Sequence, residues 1–196
     1  MDSHRRYTPF NQFNTVHRTL FGLVIKKNAS PSEYAATEFV RRNANIPVPF
    51  VYDYIKMSDT FAYLVMQRMP SMSLDDYRIN IARPTAEQQA VLADHLRVIA
   101  EVLKQVQSPY GQSICSFGPF PSLDNFHRAL LQYSHLQIPD GEERLVIGKI
   151  NAAILQPFDV RLTHDDLTPA NILVDKDLNI TCVLDWATAS WMSEYW

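Results

Sequence analysis

The sequence predicts an α+β chain: a small antiparallel N-terminal sheet with one helix, then a mainly helical region that carries a β-hairpin near its end. Three observations predict it. β-prone runs separated by turn residues fill most of residues 15–66, interrupted by one helix-start signal. From Ser73 the composition turns helical, with one long apolar stripe. Residues 160–186, VRLTHDDLTPANILVDKDLNITCVLDW, then read as a strand, a polar loop and a hairpin.

Taken in order, residues 1–14 are polar and aromatic without period and read as irregular. Thr15 to Leu20 and Leu23 to Lys27 are strand-like runs joined through Gly22. Strand alternation sends Lys26 and Lys27 to opposite faces. Ser30-Pro31-Ser32-Glu33 is a helix start: Ser30 caps, Pro31 suits the first helical position and Glu33 fits the reciprocal capping-box position. That helix runs to about Asn43. Asn45-Ile46-Pro47-Val48-Pro49 must be extended, because a residue before proline avoids the α region. Phe50 to Tyr54 and Phe61 to Met66 form a hairpin across Met57-Ser58-Asp59 and complete the sheet.

The helical region opens with Ser73-Leu74-Asp75-Asp76, a short capped helix ended by Pro84. Thr85-Ala86-Glu87-Gln88 is a second capping box. It starts a long helix whose Leu92, Leu96, Ile99, Leu103 and Val106 step by four and three along one face. His95 lies near that stripe and reads as packed or capping. Ser108 to Pro121 is a loop rich in Gly, Pro and aromatic residues, suited to line a substrate entrance. Two more helices are expected over Ser122 to His135 and Glu142 to Leu155. Asp159 reads as a turn residue.

Val160 to Thr163 is apolar and β-prone, and Pro169 forbids a helix through the loop that follows. Ile172 to Val174 and Ile180 to Leu184 flank Asp175-Lys176-Asp177-Leu178-Asn179, the hairpin turn. The arrangement sets His164 and Asp166 at the loop entrance, Asn171 at its exit and Asp185 at the end of the last strand. Phosphoryl transfer from a nucleoside triphosphate needs such a set: a carboxylate to accept a hydroxyl proton and oxygen ligands for Mg²⁺. The spacing H-x-D-x-x-x-x-N followed by a hairpin-closing Asp is the catalytic-loop pattern of the kinase fold. On local evidence alone, a surface hairpin with solvated carboxylates is the competing reading.

HDDLTPANILVD followed by VLDWATASWMSEYW resembles the aminoglycoside phosphotransferase/choline kinase-like family, particularly its fungal branch. There the run usually reads HGDLxPxNILVD, then an IDWE-type segment and a PEYW-like ending. The resemblance extends from about Leu23 to Trp196 and implies a protein-kinase-like two-lobe fold. It assigns residues 1–70 to an N-terminal nucleotide-binding lobe and 71–196 to a helical lobe with catalytic loop and metal-binding hairpin.

The family pattern implies ATP and Mg²⁺ as cofactors and a small-molecule hydroxyl as acceptor. Asp166 is then the base, Asn171 and Asp185 the metal ligands, and His164 a brace for the loop backbone. Lys26 stands where this fold places the lysine that holds the α- and β-phosphates, with Lys27 its immediate competitor. A helix glutamate pairs with that lysine: Glu33 aligns best and Glu38 second, while the capping box remains a purely local role for Glu33. Gln67-Arg68-Met69-Pro70 is where the lobes join and where main-chain groups, at Gln67 and Met69, meet an adenine edge.

The chain departs from the pattern in places. Asp165 replaces the common glycine, which narrows the backbone options and adds a carboxylate beside Asp166. No glycine-rich phosphate loop precedes Lys26; Gly22 is the only glycine before residue 111. The chain stops at Trp196, straight after the metal-binding strand, so a truncated product, an impaired nucleotide-binding pseudokinase or a fragment is the non-enzyme alternative. A protein kinase is the second alternative. Against it stand Asp165 where those enzymes have Arg, Thr168 where they have Lys, and Trp186-Ala187 in place of Phe-Gly. A metallohydrolase reading of His164-x-Asp166 lacks further His at ligand spacing.

Composition bounds the partners. With 196 residues, 46% hydrophobic and 20% charged, the chain is globular and fits one domain or two small lobes. A formal charge of −3 without a Lys/Arg-rich run gives no nucleic-acid footprint. The longest apolar stretch, Phe61 to Met66, is too short to span a bilayer, so no membrane is expected. MDSHRRYTPF lacks an apolar core of a secretory signal. Cys115 and Cys182 read as reduced structural thiols, which indicates a cytoplasmic location. No repeat or low-complexity segment is visible, and oligomeric state is not encoded in any recognisable pattern.

Overall fold

The computed structural model describes residues 15–109, 114–115, 119–120, 125, 141–153 and 159–193. They form two compact units: Met1–Val102 with His164–Ala189, and Leu103–Thr163 with Ser190–Trp196.

The first unit opens with a four-stranded antiparallel sheet of β1 (Val16–Arg18), β2 (Leu23–Lys27), β3 (Val51–Lys56) and β4 (Ala62–Gln67), in the order β1-β2-β4-β3. β1 is shorter than the sequence predicts. The Thr19 hydroxyl bonds both main-chain groups of Leu23, at 3.2 Å each, and starts the turn there. Gly22 sits in that turn at φ +73°, where a side chain would be strained. Helix α1 (Pro31–Asn43) fills the β2–β3 connection and is capped by Ser30, whose hydroxyl accepts from the Glu33 amide at 3.0 Å. The inner side of the sheet closes on Ala29, Val51 and fully buried Leu64, with Tyr54 and Met66 packed against them.

β5 (Met72–Ser73), β9 (Ile172–Val174) and β10 (Ile180–Val183) make a second sheet in the order β10-β9-β5. Helix α2 (Leu74–Asn80) follows β5 and is capped by Ser73. The next helix, α3 (Ala86–Gln105), has both halves of its capping box formed: Gln88 N to Thr85 Oγ1 at 3.3 Å, and Thr85 N to Gln88 Oε1 at 2.9 Å. Leu74 and Tyr77 of α2, Leu92 and Leu96 of α3, and Ile172, Val174, Leu178 and Ile180 of the hairpin pack into one core. The site-bearing hairpin is thereby anchored by apolar burial beneath it. Val183 N also donates to Pro47 O at 2.8 Å, tying the extended Pro47-Val48-Pro49 segment to the hairpin.

In the second unit, β6 (Ile114–Cys115), β7 (Pro119–Phe120), β8 (Val160–Thr163) and β11 (Ser190–Ser193) form a sheet in the order β7-β6-β11-β8. β6 and β7 fall in the stretch read as a loop, and β11 is an added strand. Their pairing partners lie far away in sequence, β11 joining β8 on one side and β6 on the other. Helix α4 (Glu143–Ala153) lies within the predicted span 142–155. The helix expected over 122–135 lies outside the described residues apart from Asn125. Arg161 pairs with Asp159 and donates to Lys104 O at 2.9 Å, so Asp159 does more than turn the chain. No helix among the described residues is long and apolar enough to cross a membrane.

Candidate active site

Lys26 is the centre of the site. It lies on β2 opposite Leu64, and its Nζ bonds Glu33 Oε1 at 2.7 Å and Asp185 Oδ1 at 2.8 Å. The Lys26/Lys27 and Glu33/Glu38 alternatives are thereby separated. Lys26 lines the cleft while Lys27 does not, and Glu38 is occupied by Arg41 at 2.8 Å and Arg42 at 2.9 Å. The Glu33 carboxylate goes to Lys26 while its main-chain N–H takes the Ser30 cap, so only the Ser30 half of the capping box forms.

Burial alone would lower the Lys26 ammonium's pKa, but the bonds to Asp185 and Glu33 outweigh it and raise it. Glu33 is 3% exposed. Its burial pushes the carboxyl up against the pull of Lys26, so the ion pair is what keeps a charge in that position.

The loop 164–171 is pinned at both ends to one residue. Leu184 O lies 2.8 Å from His164 Nε2, and Leu184 N donates to Asn171 O at 2.8 Å. A carbonyl can only accept, so Nε2 carries the proton. Nδ1 accepts from Asp166 N at 3.3 Å, which fixes a neutral tautomer. Burial likewise holds the imidazole's pKa below its ordinary value. Its ring packs on Trp186 with centroids 4.6 Å apart, and Thr188 Oγ1 donates to His164 O at 2.9 Å. Thr188 and the Leu184 main chain are contributors that sequence reasoning did not single out; only the fold brings them to the loop.

Asn171 Nδ2 donates to Asp166 O at 2.9 Å and to Asp166 Oδ2 at 3.0 Å, so the amide orients the carboxylate across the loop. Asp165 takes φ +62°, the left-handed region where glycine costs least. Asp is among the residues that tolerate it. Asp185 also sits there, at φ +60°, ψ +68°, turning its carboxylate out of the strand direction toward Lys26. A non-glycine residue in that region at the rim of a cleft is a common mark of a working position.

A cleft of about 410 Å³ is lined by Lys26, Glu33, Asn171 and Asp185 together with Val24, Met66, Gln67, Met69 and Leu173. Asp166 is exposed beside it, joined through Asn171. The Gln67 side chain is turned away, its Oε1 accepting from Phe50 N at 3.4 Å. Arg68 N is spent on Gly22 O at 2.8 Å, whereas the Met69 N–H has no main-chain acceptor among the described residues. The apolar walls and the main chain at this end suit a flat heterocycle.

Among the described residues no group of three or more His, Cys, Asp or Glu is placed to hold a metal ion. The side-chain oxygens of Asn171 and Asp185, both lining the cleft, are a different donor set, hard and few. That fits Mg²⁺, which keeps waters and substrate phosphates and needs only one or two protein ligands.

Comparisons with known proteins show the family and the fold. The family model of the phosphotransferase enzyme family (APH) matches residues 25–193. Among solved structures, a thermostable mutant of aminoglycoside phosphotransferase APH(4)-Ia in ternary complex with AMP-PNP and hygromycin B is 22% identical. The match covers 86% of this chain and 60% of that one, with a TM-score of 0.60. Aminoglycoside phosphotransferase APH(4)-Ia itself gives 21% identity, 87% and 60% coverage and a TM-score of 0.60. A candidate aminoglycoside phosphotransferase from Ralstonia eutropha gives 13% identity, 86% and 53% coverage and a TM-score of 0.52. The chain thus spans 60% or less of the length of these three structures. Their likeness establishes an α+β, protein-kinase-like fold. No curated protein matches the sequence.

Proposed function

Because the chain belongs to the phosphotransferase enzyme family, we propose that it moves the γ-phosphoryl group of ATP to a hydroxyl of a small molecule, with Asp166 as the base. One observation carries the reading. Asn171, which holds the Asp166 carboxylate, and Asp185, which is paired with Lys26, line the same cleft.

In this reading Lys26, held by buried Glu33, meets the α- and β-phosphates, and the main chain at Gln67 and Met69 meets the base. Asp166 Oδ1, which accepts no hydrogen bond among the described residues, takes the proton of the attacking hydroxyl. Asn171 Nδ2 keeps that carboxylate facing the acceptor. His164 stays neutral and positions the loop without exchanging a proton. The side-chain oxygens of Asn171 and Asp185 would hold Mg²⁺, which would supply charge neutralisation of the phosphates. In that role the Asp185 carboxylate would be shared with Lys26, which bonds its Oδ1 at 2.8 Å. Residues 1–70 serve nucleotide binding and 71–196 the chemistry. The reaction belongs in the cytoplasm, where ATP is supplied and the buried free thiol of Cys182 stays reduced.

The test is a thermal-unfolding series with ATP and Mg²⁺, paired with ADP release in the presence of a panel of hydroxylated metabolites. Stabilisation together with acceptor-dependent turnover supports the proposal. Stabilisation with no turnover on any acceptor points to nucleotide binding without transfer. Neither effect rules out both.

A further inference from the structure

The acids lining the cleft are Glu33, Asp76 and Asp185. Glu33 and Asp185 share Lys26, whereas the Asp76 carboxylate makes no hydrogen bond or ion pair among the described residues. We propose that Asp76 accepts from the ribose hydroxyls of the bound nucleotide, which makes the cleft selective for ribonucleotides over deoxyribonucleotides. The inference rests on the proposed use of a nucleoside triphosphate.

Chain order and register place Asp76 at the sugar. Gln67 and Met69 carry the main chain given to the base, and from there the chain runs through β5 into the first turn of α2, where Asp76 lies. In β5, Ser73 pairs with Leu173 of β9. Leu173 comes two residues after Asn171, so that pair lies at most about 7 Å along the chain from the metal end. The Ser73 hydroxyl accepts from Asp76 N at 3.0 Å, which holds the first turn of α2 at the same level. α2 also packs against the turn Pro169–Asn171. Asp76 therefore stands between the strip given to the base and the loop end given to Mg²⁺, and in a nucleotide the sugar fills that interval.

Charge sharpens the assignment. A carboxylate beside an anionic ligand is repelled by it, so Asp76 opposes triphosphate binding unless the ligand brings donors to it. The 2′- and 3′-hydroxyls are the donors a ribonucleotide presents between base and phosphates. An ionised carboxylate only accepts and has two oxygens for them, and hydrogen bonds to an ionised acceptor are the strong ones. The contact draws on the side chain alone, because the Asp76 main-chain N–H is already spent on Ser73.

The test measures affinities of the full chain for ATP, 2′-deoxy-ATP and 2′,3′-dideoxy-ATP, each with Mg²⁺, in the wild type, Asp76→Ala, Asp76→Asn and Asp75→Ala. Asp75 is the adjacent carboxylate of the same helical turn and does not line the cleft. The wild type should bind ATP about tenfold more tightly than the dideoxy nucleotide, with 2′-deoxy-ATP between them. Asp76→Ala should bring that ratio close to one by weakening ATP, Asp76→Asn should keep part of it, and Asp75→Ala should leave it intact. A wild type that binds ATP and the dideoxy nucleotide equally overturns the role of Asp76 and leaves the nucleotide reading standing. A ratio that survives in Asp76→Ala overturns it too, as does one lost equally in Asp75→Ala. Equal tightening of all three nucleotides in Asp76→Ala also overturns it, because the carboxylate then only repels. A wild-type chain that binds none of the three overturns the nucleotide reading and this inference with it. Unfolding temperatures separate binding loss from misfolding, and the variants should match the wild type because the Ser73 cap uses the main-chain N–H.

Discussion

Lys26 and Asp185, 159 positions apart, form an ion pair of 2.8 Å. The same ammonium holds Glu33 at 2.7 Å, so one cation joins the N-terminal sheet, helix α1 and the end of the hairpin. Glu33 is the deeper partner, its side chain 4% exposed against 37% for Asp185. Removing the cation therefore leaves one buried charge and one that water can reach.

Lys26→Met should cost about 3 kcal/mol of stability, most of it from the uncompensated Glu33 carboxylate. Adding Glu33→Gln to Lys26→Met should recover roughly half of that loss, because a neutral amide carries a smaller desolvation penalty. Urea unfolding of the two single variants and the double variant closes the cycle. Independent, additive losses would show that Lys26 and Glu33 are not energetically coupled.

His164 makes stability depend on pH in a defined window. Burial holds its folded pKa below the ordinary 6.5. Between those two values the unfolded chain binds the proton and the folded chain does not, so stability rises with pH. The contribution is fully present above about 6.5 and is lost as pH falls toward the folded value. Chemical unfolding at pH 7.5 and pH 5.5 should show a smaller drop for His164→Gln than for the wild type; equal drops would remove His164 as the source.

Leu178 sets two effects against each other. Its φ of +64° favours glycine, yet its side chain is 0% exposed in the core beneath the hairpin. Relief of left-handed strain amounts to roughly 1 kcal/mol, whereas losing a buried leucine costs about 3 kcal/mol. Leu178→Gly should therefore destabilise by roughly 2 kcal/mol net. A stabilised variant would mean that the backbone, not the packing, limits this turn.

How much of this was legible in sequence depends on the range of the contacts. Helix α1 announced itself through Ser30, Pro31 and Glu33 because capping acts over three residues, and the Thr85–Gln88 box did the same for α3. The turn Asp175–Asn179 is also local: Asp175 Oδ1 accepts from Asp177 N and Asn179 N, each at 2.9 Å. Strand β11 carries no such signal, since Trp191 pairs with Leu162 and Cys115, both distant. The site residues were legible as a spacing, but their geometry was not. That the Glu33 carboxylate goes to Lys26 and not back to the Ser30 N–H, or that Leu184 clamps both loop ends, follows only once β2, α1 and the hairpin are folded together. The left-handed turn at Asp185 was equally invisible, because aspartate adopts it without any glycine to mark it.

The central claim is that Asp166 accepts the acceptor's proton during transfer. The direct measurement compares turnover and nucleotide affinity of the wild type and Asp166→Asn on the same hydroxylated acceptor, since the amide keeps the shape and removes the base. Turnover should fall by about 10³-fold with ATP affinity within twofold of the wild type. An Asp166→Asn variant that transfers phosphate at the wild-type rate would contradict the account.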